Sequence, residues 1–381
     1  MYDFVFHNPT KIIFGRGRET LIGQELKDAG IAKVLLVYGR QSIKKSGLFD
    51  TVADSLGKAG ITYTEHGGVV SNPVLSHTRQ GIELAGKNKV EAILAVGGGS
   101  VLDEAKAIAV GATVDDDIWE YFTGKEVQSA LPVFTVLTLA ATGSEMNGNA
   151  VVTNEETKQK YNIGSPHVYP KVSILNPELT CTVPLDYTAY GAVDAIAHVI
   201  EAYFTKKPGT RLQDRLVESI IKTVIETTDI IMKDPPNYEA RSELMWTATL
   251  ALNGLTTAGV GTYNFPNHML EHSLSALYNI PHGAGLSIVI PAWMKWYSEK
   301  NQEQFQRFSK KIFELEGEQA GIEALEKWFA KIGSPVRLVE VDIPAEDIDK
   351  IADNAHALAT LWGIGGIYTK EVIAGILRLA V

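Results

Sequence analysis

Three histidines lie close together in the C-terminal half of the chain, in the stretch NFPNHMLEHSLSALYNIPHG at residues 264–283. His268 and His272 are four residues apart, so in a helix their side chains share one face. His282 follows Pro281, where the helical pattern has broken. Imidazole nitrogens bind Fe²⁺ and Zn²⁺ and exchange protons near neutral pH. The stretch therefore predicts either part of a metal site or a helix with incidental histidines.

A second pair of candidate ligands lies upstream, in the segment YGAVDAIAHVIEAYF. Asp194 and His198 are again four residues apart in a helical pattern, so a carboxylate and an imidazole point the same way. One Asp and three His side chains can hold a divalent ion and leave coordination positions for a substrate. An isolated pair of this kind is more often structural, but the joint pattern favours a metal. The two segments together offer one Asp and four His, so spacing alone does not show which histidine is not a ligand.

Two clusters of small residues follow strand-like runs in the N-terminal half. In ILAVGGGSVLDEAKAIA, residues 97–100 join a buried strand to a helix predicted to begin near Leu102. Glycines let the backbone approach an anion, and a helix N-terminus offers free N–H groups, which suits a pyrophosphate. The spacing is not that of a GxGxxG fingerprint, so a simple connecting turn is the alternative.

The second cluster, TLAATGSEMN, places Thr138, Thr142 and Ser144 at the predicted end of another strand. Its structural alternative is a helix N-cap with Glu145 in the first turn. Ligands of open α/β sheets bind at the carboxyl ends of the strands. Two such clusters together favour a nucleotide-binding edge.

The elements that must position these residues change character along the chain. Strand-like runs at 34–39, 91–99, 131–140 and 171–178 alternate with helical patterns, which predicts a mostly parallel sheet covered by helices. After about Pro184, long helical segments follow at 185–204, 211–232 and 238–258. We therefore expect an α/β domain over residues 1–182 and an all-helical domain over 183–381, facing each other across a cleft.

Composition narrows the class of partner. The net charge of −10 at pH 7, without a dense run of Lys or Arg, argues against nucleic acid or an anionic membrane. The single cysteine, Cys181, fits a reducing compartment. The first residues lack the apolar core of a signal peptide, and no apolar window is long enough to span a bilayer. We expect a cytoplasmic protein that acts on a small molecule.

Taken together, the motifs resemble those of the iron-containing, group III alcohol dehydrogenases, within the branch of butanol dehydrogenases and broad-range aldehyde reductases. The resemblance covers essentially the whole chain, through HNPTKIIFGRG, YGRQSIKKSG, GGGSVLDEAKAIA, ATGSE, DAIAH and HMLEHSLSALYNIPHG. It implies a dehydroquinate synthase-like fold, with a Rossmann-like nucleotide-binding domain followed by a helical metal-binding domain. It also implies a homodimer, for which the alternating segment DFVFHNPTKIIF offers an edge strand.

The resemblance also implies roles for individual residues. It assigns the metal ligands as Asp194, His198, His268 and His282. His272 is then left beside the substrate, where it relays protons. The implied cofactor contacts are Asn72, Gly98, Gly99, Ser100, Asp103, Thr138, Thr142, Asn149 and Lys160. The implied reaction is reversible hydride transfer between the nicotinamide ring and a short-to-medium primary alcohol or aldehyde, with the substrate oxygen polarised by Fe²⁺ or Zn²⁺.

The loop VLLVYGRQSIKKSG bears on which nicotinamide cofactor is used. Enzymes that select NAD commonly place a carboxylate after an early strand, where it binds the adenosine ribose, and none occurs between Tyr38 and Gly47. Gly39 leaves room, Ser42 can donate a hydrogen bond, and three cations suit a 2′-phosphate: Arg40, Lys44 and Lys45. The loop therefore predicts a preference for NADP(H) over NAD(H). The alternative is an ordinary solvated loop that discriminates little.

Two other functions compete with this interpretation. Glycerol dehydrogenase and dehydroquinate synthase share the fold, but they are expected to have a different ligand set. A protein that binds metal and nucleotide without turnover is the rival from another class.

The sequence departs from the family pattern in two places. Arg40 and Gln41 affect the adenosine-ribose end of the cofactor site, and Asn267 and Met269 affect the substrate pocket.

Overall fold

The computed structural model describes residues 1–207 and 209–381. They form two compact units, one of His7–Val183 and the other of Met1–Phe6 together with Pro184–Val381. The sequence interpretation divided the chain after residue 182 and put the first residues in the N-terminal domain. In the structure the N–H of Tyr2 donates to the carbonyl of Gly259 at 2.9 Å, within the second unit. Because Gly259 has no side chain, Phe4 has room against this segment.

A parallel sheet forms the centre of the His7–Val183 unit. Its strands are β1 (Lys11–Phe14), β2 (Lys33–Tyr38), β3 (Thr62–Gly67), β4 (Ala92–Gly97), β5 (Val133–Leu137) and, after an antiparallel hairpin of β6 (Asn149–Asn154) and β7 (Gln159–Gly164), β8 (Val172–Leu175). Within the described residues the strand order is β1-β8-β5-β4-β2-β3, and every neighbouring pair is parallel. Central strands such as β4 are buried throughout, because helices cover both faces of a parallel sheet. The predicted parallel α/β sheet is confirmed.

The alternating segment at the N-terminus contributes less strand than its pattern predicts. Only Lys11–Phe14 pairs, in parallel with β8 at one edge of the sheet. Residues 1–10 have no regular secondary structure, and Phe4, Val5 and Phe6 are exposed. Pro9 contributes to the late start of the strand, because proline lacks the N–H that a ladder requires.

The helices of this unit are α1 (Ile22–Asp28), α2 (Ser42–Lys45), α3 (Leu48–Ala59), α4 (Leu75–Asn88), α5 (Gly99–Gly111) and α6 (Trp119–Phe122). α5 begins at Gly99, before the start that was predicted near Leu102. The carbonyl of Gly98, whose backbone is extended, accepts hydrogen bonds from the N–H groups of Val101 and Leu102 at 2.9 and 3.2 Å. The glycine cluster is therefore the cap and first turn of the helix rather than a separate turn.

The second unit is helical, as predicted. Its helices are α7 (Leu185–Thr205), α8 (Arg211–Ile231), α9 (Tyr238–Ala251), α10 (Pro266–Tyr278), α11 (His282–Tyr297), α12 (Gln302–Ile312), α13 (Glu318–Lys331), α14 (Ile348–Leu361) and α15 (Lys370–Arg378). α9 ends at Ala251, although the sequence pattern extended to residue 258. Leu252 leaves helical geometry with φ −130° and ψ 34°, and Gly254 then turns the chain with φ 89°. Over the residues described, no helix has both the length and the apolar character needed to cross a bilayer.

Candidate metal centre and cofactor-binding edge

Three helices of the second unit carry the candidate metal ligands. Asp194 and His198 lie one turn apart on α7, His268 lies on α10, and His282 is the first residue of α11. The start of α11 lies directly against α7, because a Cβ at Gly283 would be only 2.1 Å from the carbonyl oxygen of Tyr190. Glycine at this position is what allows His282 to approach Asp194.

The four side chains converge on one oxygen. Asp194 Oδ1 lies 3.4 Å from Nε2 of His198, 3.7 Å from Nε2 of His268 and 3.5 Å from Nε2 of His282. Asp194, His198 and His268 are buried, whereas the His282 side chain is 23% exposed. A carboxylate and three imidazoles thus face a common point, with one side open.

The residues fit a divalent cation on chemical grounds. Asp194 Oδ1 and His268 Nε2 are buried, and neither has a hydrogen-bond partner in the part of the chain that the structure describes. Leaving a buried polar atom unpaired costs about 1–3 kcal/mol, and more if it is charged. A cation with one oxygen and three nitrogen ligands removes that cost, and this donor set suits Fe²⁺ or Zn²⁺.

Two buried glutamates contact the Nδ1 atoms of His268 and His282, on the side of each ring away from Asp194. Glu201 Oε1 lies 2.9 Å from Nδ1 of His268, and the same carboxylate accepts hydrogen bonds from the backbone N–H groups of Asn267 and His268. Glu271 contacts Nδ1 of His282 in the same way. Both glutamates are fully buried. A carboxylate on Nδ1 fixes the ring and leaves Nε2 to bind metal.

The sequence interpretation did not identify either glutamate. A signal was present, since Glu201 is three residues after His198 and Glu271 is three residues after His268, so each shares a helical face with a candidate ligand. The spacing could not show which ring each carboxylate would meet, because Glu201 supports His268 on another helix.

Burial and neighbouring charges shift the pKa values of the candidate ligands in different directions. Burial alone raises the pKa of Asp194, but the His198, His282 and His268 rings outweigh it and hold that pKa well below its usual range. Burial lowers the pKa of His198 to about 4 despite the opposing charge of Asp194, so this ring is neutral at pH 7. For His268 burial also lowers the pKa, but Asp194 and Glu201 raise it to about 9. A proton and a metal ion therefore compete for His268.

His272 lies next to this cluster without facing Asp194 in the same way. Its ring centroid is 5.8 Å from that of His282, 6.4 Å from that of His268 and 5.8 Å from that of Trp362. The side chain is buried. Its position beside the ligand rings suits an exchange of protons with a group bound at the open side of the cluster.

In the His7–Val183 unit, the two small-residue clusters meet at the carboxyl ends of β4 and β5, which are neighbouring strands. A Cβ added to Gly99 would lie 2.4 Å from Thr142 Cγ2, and one added to Gly98 would lie 3.1 Å from Leu139 Cβ. Glycine is therefore required for this close approach. Ser100 lies in the first turn of α5, and Thr138 follows β5 directly. The predicted edge brings these residues together.

Asp103 and Asn72 form polar contacts that brace this edge. Asp103 accepts hydrogen bonds from the Ser144 hydroxyl at 2.6 Å and from the N–H of Val151 at 3.1 Å. Lys160 Nζ donates to Asn72 Oδ1 at 2.9 Å, and Asn72 has a left-handed backbone with φ 54°. These contacts fix Asp103, Lys160 and Asn72 in place.

Lys106 is a buried residue of this edge that the sequence interpretation missed. Its ammonium group donates to the Ser144 hydroxyl at 2.8 Å and to the carbonyls of Asn147 and Asn149 at 2.9 and 2.8 Å. Burial lowers its pKa to about 8, against the opposing influence of Asp103 and Glu145. Lys106 therefore holds the segment between the second cluster and β6, where Asn149 begins the strand.

Comparison with known proteins agrees with this arrangement. Residues 9–177 match the model of the iron-containing alcohol dehydrogenases, and residues 188–381 match the C-terminal model of the Fe-containing alcohol dehydrogenase family. The chain belongs to the iron-containing alcohol dehydrogenase family. The resemblance inferred from the motifs is thereby confirmed, as is the pairing of an α/β domain with a helical one.

Within this family, the chain is 44% identical over 383 residues to the probable NADH-dependent butanol dehydrogenase 1 of Bacillus subtilis, covering 98% of each chain. It is 37% identical to the NADPH-dependent aldehyde reductase of Escherichia coli K12, covering 91% of each chain. The crystal structure of NADH-dependent butanol dehydrogenase A from Thermotoga maritima has a TM-score of 0.98 and 50% identity, and covers 100% of this chain and 99% of that one.

In this member of the family, one cation of the loop after β2 is paired with a carboxylate, which the sequence of the loop does not predict. Lys44 Nζ lies 2.9 Å from Glu65 Oε2 on β3, and the Tyr38 hydroxyl donates to the same oxygen at 2.6 Å. The hydrogen bonds of Tyr38 and Lys44 lower the pKa of Glu65. Arg40, Ser42 and Lys45 are exposed. A carboxylate absent from the loop itself is thus supplied by the neighbouring strand.

Proposed function

We propose that the protein is a metal-dependent alcohol dehydrogenase and aldehyde reductase that transfers a hydride between NADP(H) and a short-to-medium primary alcohol or aldehyde of the butanol and butanal kind. The observation that carries the proposal is the convergence of Asp194, His198, His268 and His282. Asp194 Oδ1 and His268 Nε2 are buried at this point and have no hydrogen-bond partner in the described chain. The names of the relatives, butanol dehydrogenase and aldehyde reductase, support the substrate class.

When bound, a divalent ion supplies Lewis-acid polarisation of the substrate oxygen, and a nicotinamide ring gives or accepts the hydride. The chain's own residues prepare for both. Glu201 and Glu271 orient His268 and His282 through their Nδ1 atoms. His272, buried beside these rings, takes a proton when an alcohol is oxidised and returns it when an aldehyde is reduced.

The cofactor is proposed to bind the glycine-rich edge of the α/β unit. Gly98 and the first turn of α5 offer backbone N–H groups to a pyrophosphate, in line with the positive end of the helix dipole. The remaining contacts are proposed from Gly39, Ser42, Asn72, Gly99, Ser100, Asp103, Thr138, Thr142, Asn149 and Lys160. Lys106 acts indirectly, because its ammonium is used by Ser144, Asn147 and Asn149.

The preference for NADP(H) over NAD(H) is proposed from the loop after β2. Arg40 and Lys45 are exposed cations, and a Cβ at Gly39 would meet only ordinary contacts. Glu65 is the structural observation against a strong preference, since it neutralises Lys44. The Bacillus and Thermotoga relatives carry NADH in their names, whereas the Escherichia relative carries NADPH. The ratio of kcat/KM values for the two cofactors decides between them.

Three further properties belong to the same proposal. The ion is Fe²⁺ or Zn²⁺, both of which accept one carboxylate and three imidazoles. The compartment is the cytoplasm, on the evidence of a single cysteine. The assembly is a homodimer, for which the edge strand β1 offers a surface.

One experiment tests the activity directly. Protein stripped of metal by a chelator is reconstituted with Fe²⁺ or Zn²⁺ and assayed for butanal reduction by absorbance of NADPH and of NADH. Activity is expected only after reconstitution. Cofactor binding and metal binding without any aldehyde-dependent loss of absorbance, over a panel of short aldehydes, would support a non-catalytic binding protein instead.

A further inference from the structure

A second cluster of metal-type ligands lies within the His7–Val183 unit and has no part in the function proposed above. His66 Nε2 lies 3.0 Å from Glu104 Oε1, and His77 Nδ1 lies 2.6 Å from the same oxygen. One ligand atom from each residue lies within 4.8 Å of the others. The two imidazole rings are stacked, with centroids 4.2 Å apart.

Three different elements bring these side chains together. His66 is on β3, where it points to the buried face of the sheet while its neighbour Glu65 points to the exposed face. His77 lies in the first turn of α4, and Glu104 lies in α5. α4 packs closely here because residue 81 is glycine, where a Cβ would lie 2.9 Å from His66 Nε2. The cluster therefore depends on tertiary packing, since its members are far apart in sequence.

The donor set is suited to a transition-metal ion. Glu104 is completely buried, and its second oxygen, Oε2, has no hydrogen-bond partner among the residues that the structure describes. His66 presents Nε2 and His77 presents Nδ1 to the other oxygen, Oε1. Imidazole nitrogens and a carboxylate oxygen are ligands that Zn²⁺ accepts.

Access to the cluster is from one side. The side chains of His66 and Glu104 are 4% and 0% exposed, whereas that of His77 is 21% exposed. Two nitrogens and one carboxylate oxygen thus line a site that is closed at the back and open at His77. Three protein ligands with one open position is the arrangement of many zinc sites, and the open position holds water.

We propose that His66, His77 and Glu104 form a second binding site for a divalent transition-metal ion of the Zn²⁺ class. The ion joins β3, α4 and α5, the last of which carries the glycine cluster at its N-terminus. Its expected effect is to stabilise the α/β unit, because an ion that binds only the folded chain shifts the unfolding equilibrium. The proposal does not depend on the dehydrogenase activity, because the ligands belong to a different set of residues.

The test removes the other metal centre first. The Asp194→Ala, His282→Ala double variant of the full chain lacks a ligand from each of the two ligand groups in the helical unit, Asp194 with His268 and His282, and Glu271 with His272 and His282. It is stripped of metal and titrated with Co²⁺, followed by the visible absorbance of the protein-bound ion. One equivalent is expected to bind, and Zn²⁺ is expected to displace it. The addition of His77→Gln, at the exposed end of the site, is expected to abolish this binding. His167→Gln changes an exposed histidine elsewhere in the same unit and is the matched control.

The outcomes separate the proposal from its alternatives. No Co²⁺ or Zn²⁺ binding in the double variant overturns the proposal and leaves the cluster as a hydrogen-bonded group. Binding that survives His77→Gln overturns the assignment of these ligands. Glu104→Gln is the second variant, and circular dichroism and thermal unfolding of each metal-free variant establish that it is folded. A rise in Tm on adding Zn²⁺ is expected for the double variant and not after His77→Gln.

Discussion

His268 Nδ1 lies 2.9 Å from Glu201 Oε1, and both side chains are buried. Glu201 is on α7 and His268 is on α10, so the contact fixes the ring of one helix by a carboxylate of another. Nε2 of the same ring is left facing Asp194 at 3.7 Å. The pair thus prepares a metal ligand before any ion binds.

The first prediction follows from this pair. Glu201→Gln is expected to lower metal affinity by about 10- to 100-fold, because the amide keeps one acceptor oxygen but loses the charge that makes His268 a strong ligand. Metal affinity is measured by competition with a coloured chelator. Glu226→Gln, an exposed site on α8, is the control and is expected to bind the metal with unchanged affinity.

The ligand assignment itself is tested at His268. His268→Ala is expected to remove metal and activity together; full metal occupancy in that variant would show that the ligand assignment is wrong.

The second prediction concerns His272. The His272→Ala protein is expected to retain its ion while losing alcohol oxidation, most severely at lower pH, where hydroxide is scarce and a base is most needed. Metal content and the pH profile of kcat are measured on the same preparation. Loss of the ion in this variant would instead make His272 a ligand.

The third prediction tests the NADP(H) preference at Gly39. A Cβ at this position would meet only ordinary contacts, 3.7 Å from the Val69 carbonyl and 3.9 Å from Val101, so Asp is tolerated. Gly39→Asp is expected to penalise NADPH by about 1–3 kcal/mol in kcat/KM through repulsion of the 2′-phosphate. Gly39→Asn has the same shape without the charge and is the control. Equal kcat/KM values for both cofactors in the unmodified enzyme would contradict the preference.

The fourth prediction concerns Glu65, which pairs with Lys44 at 2.9 Å. Glu65→Gln is expected to raise the ratio of kcat/KM for NADPH to that for NADH by roughly two- to fivefold, because it releases an exposed cation. The double variant Glu65→Gln, Lys44→Gln is expected to lose this gain. Binding of 2′,5′-ADP and 5′-AMP, measured by calorimetry, separates the effect on the phosphate from effects on catalysis. An unchanged affinity for 2′,5′-ADP in Glu65→Gln would rule this role out.

The fifth prediction is a pH dependence of stability. Glu326 on α13 accepts hydrogen bonds from Lys295 on α11, at 3.0 and 2.8 Å, and contacts Arg337. Burial raises the pKa of Glu326, but Lys295 and Arg337 outweigh it, so the folded-state pKa is lowered. A depressed carboxyl pKa stabilises the fold above the unfolded-state pKa, and this stabilisation is lost as pH falls through the folded-state value.

Glu326→Gln is therefore expected to reduce the free energy of unfolding by about 1–2 kcal/mol at pH 7. The difference from the unmodified protein is expected to shrink as the pH falls below about 4.3, the ordinary value for Glu. Urea unfolding at several pH values measures it. Glu323→Gln, on the same helix but exposed, is the control. A constant difference across the pH range would show that the ion pair does not carry the effect.

Much of the fold is determined locally and was predictable. β-branched runs of strand length and apolar residues at helical spacing depend on neighbours within a few residues, so the parallel sheet and the helical second unit followed from the pattern. The start of α5 and the end of α9 were not predictable from the pattern. Gly98 and Gly254 set them through backbone conformation, and composition does not reveal which conformation a glycine adopts.

The candidate metal centre was likewise predictable from the sequence only in part. The spacing of four between Asp194 and His198 places both on one face of α7, and this follows from sequence alone. The convergence of α7, α10 and α11 does not, since it depends on the close approach that Gly283 allows. The imidazole or ammonium group that Glu201, Glu271 or Glu65 contacts lies on a different helix in each case. Sequence therefore determined which side chains were available, whereas tertiary packing decided which of them meet, because contacts between distant segments depend on the geometry of the whole core.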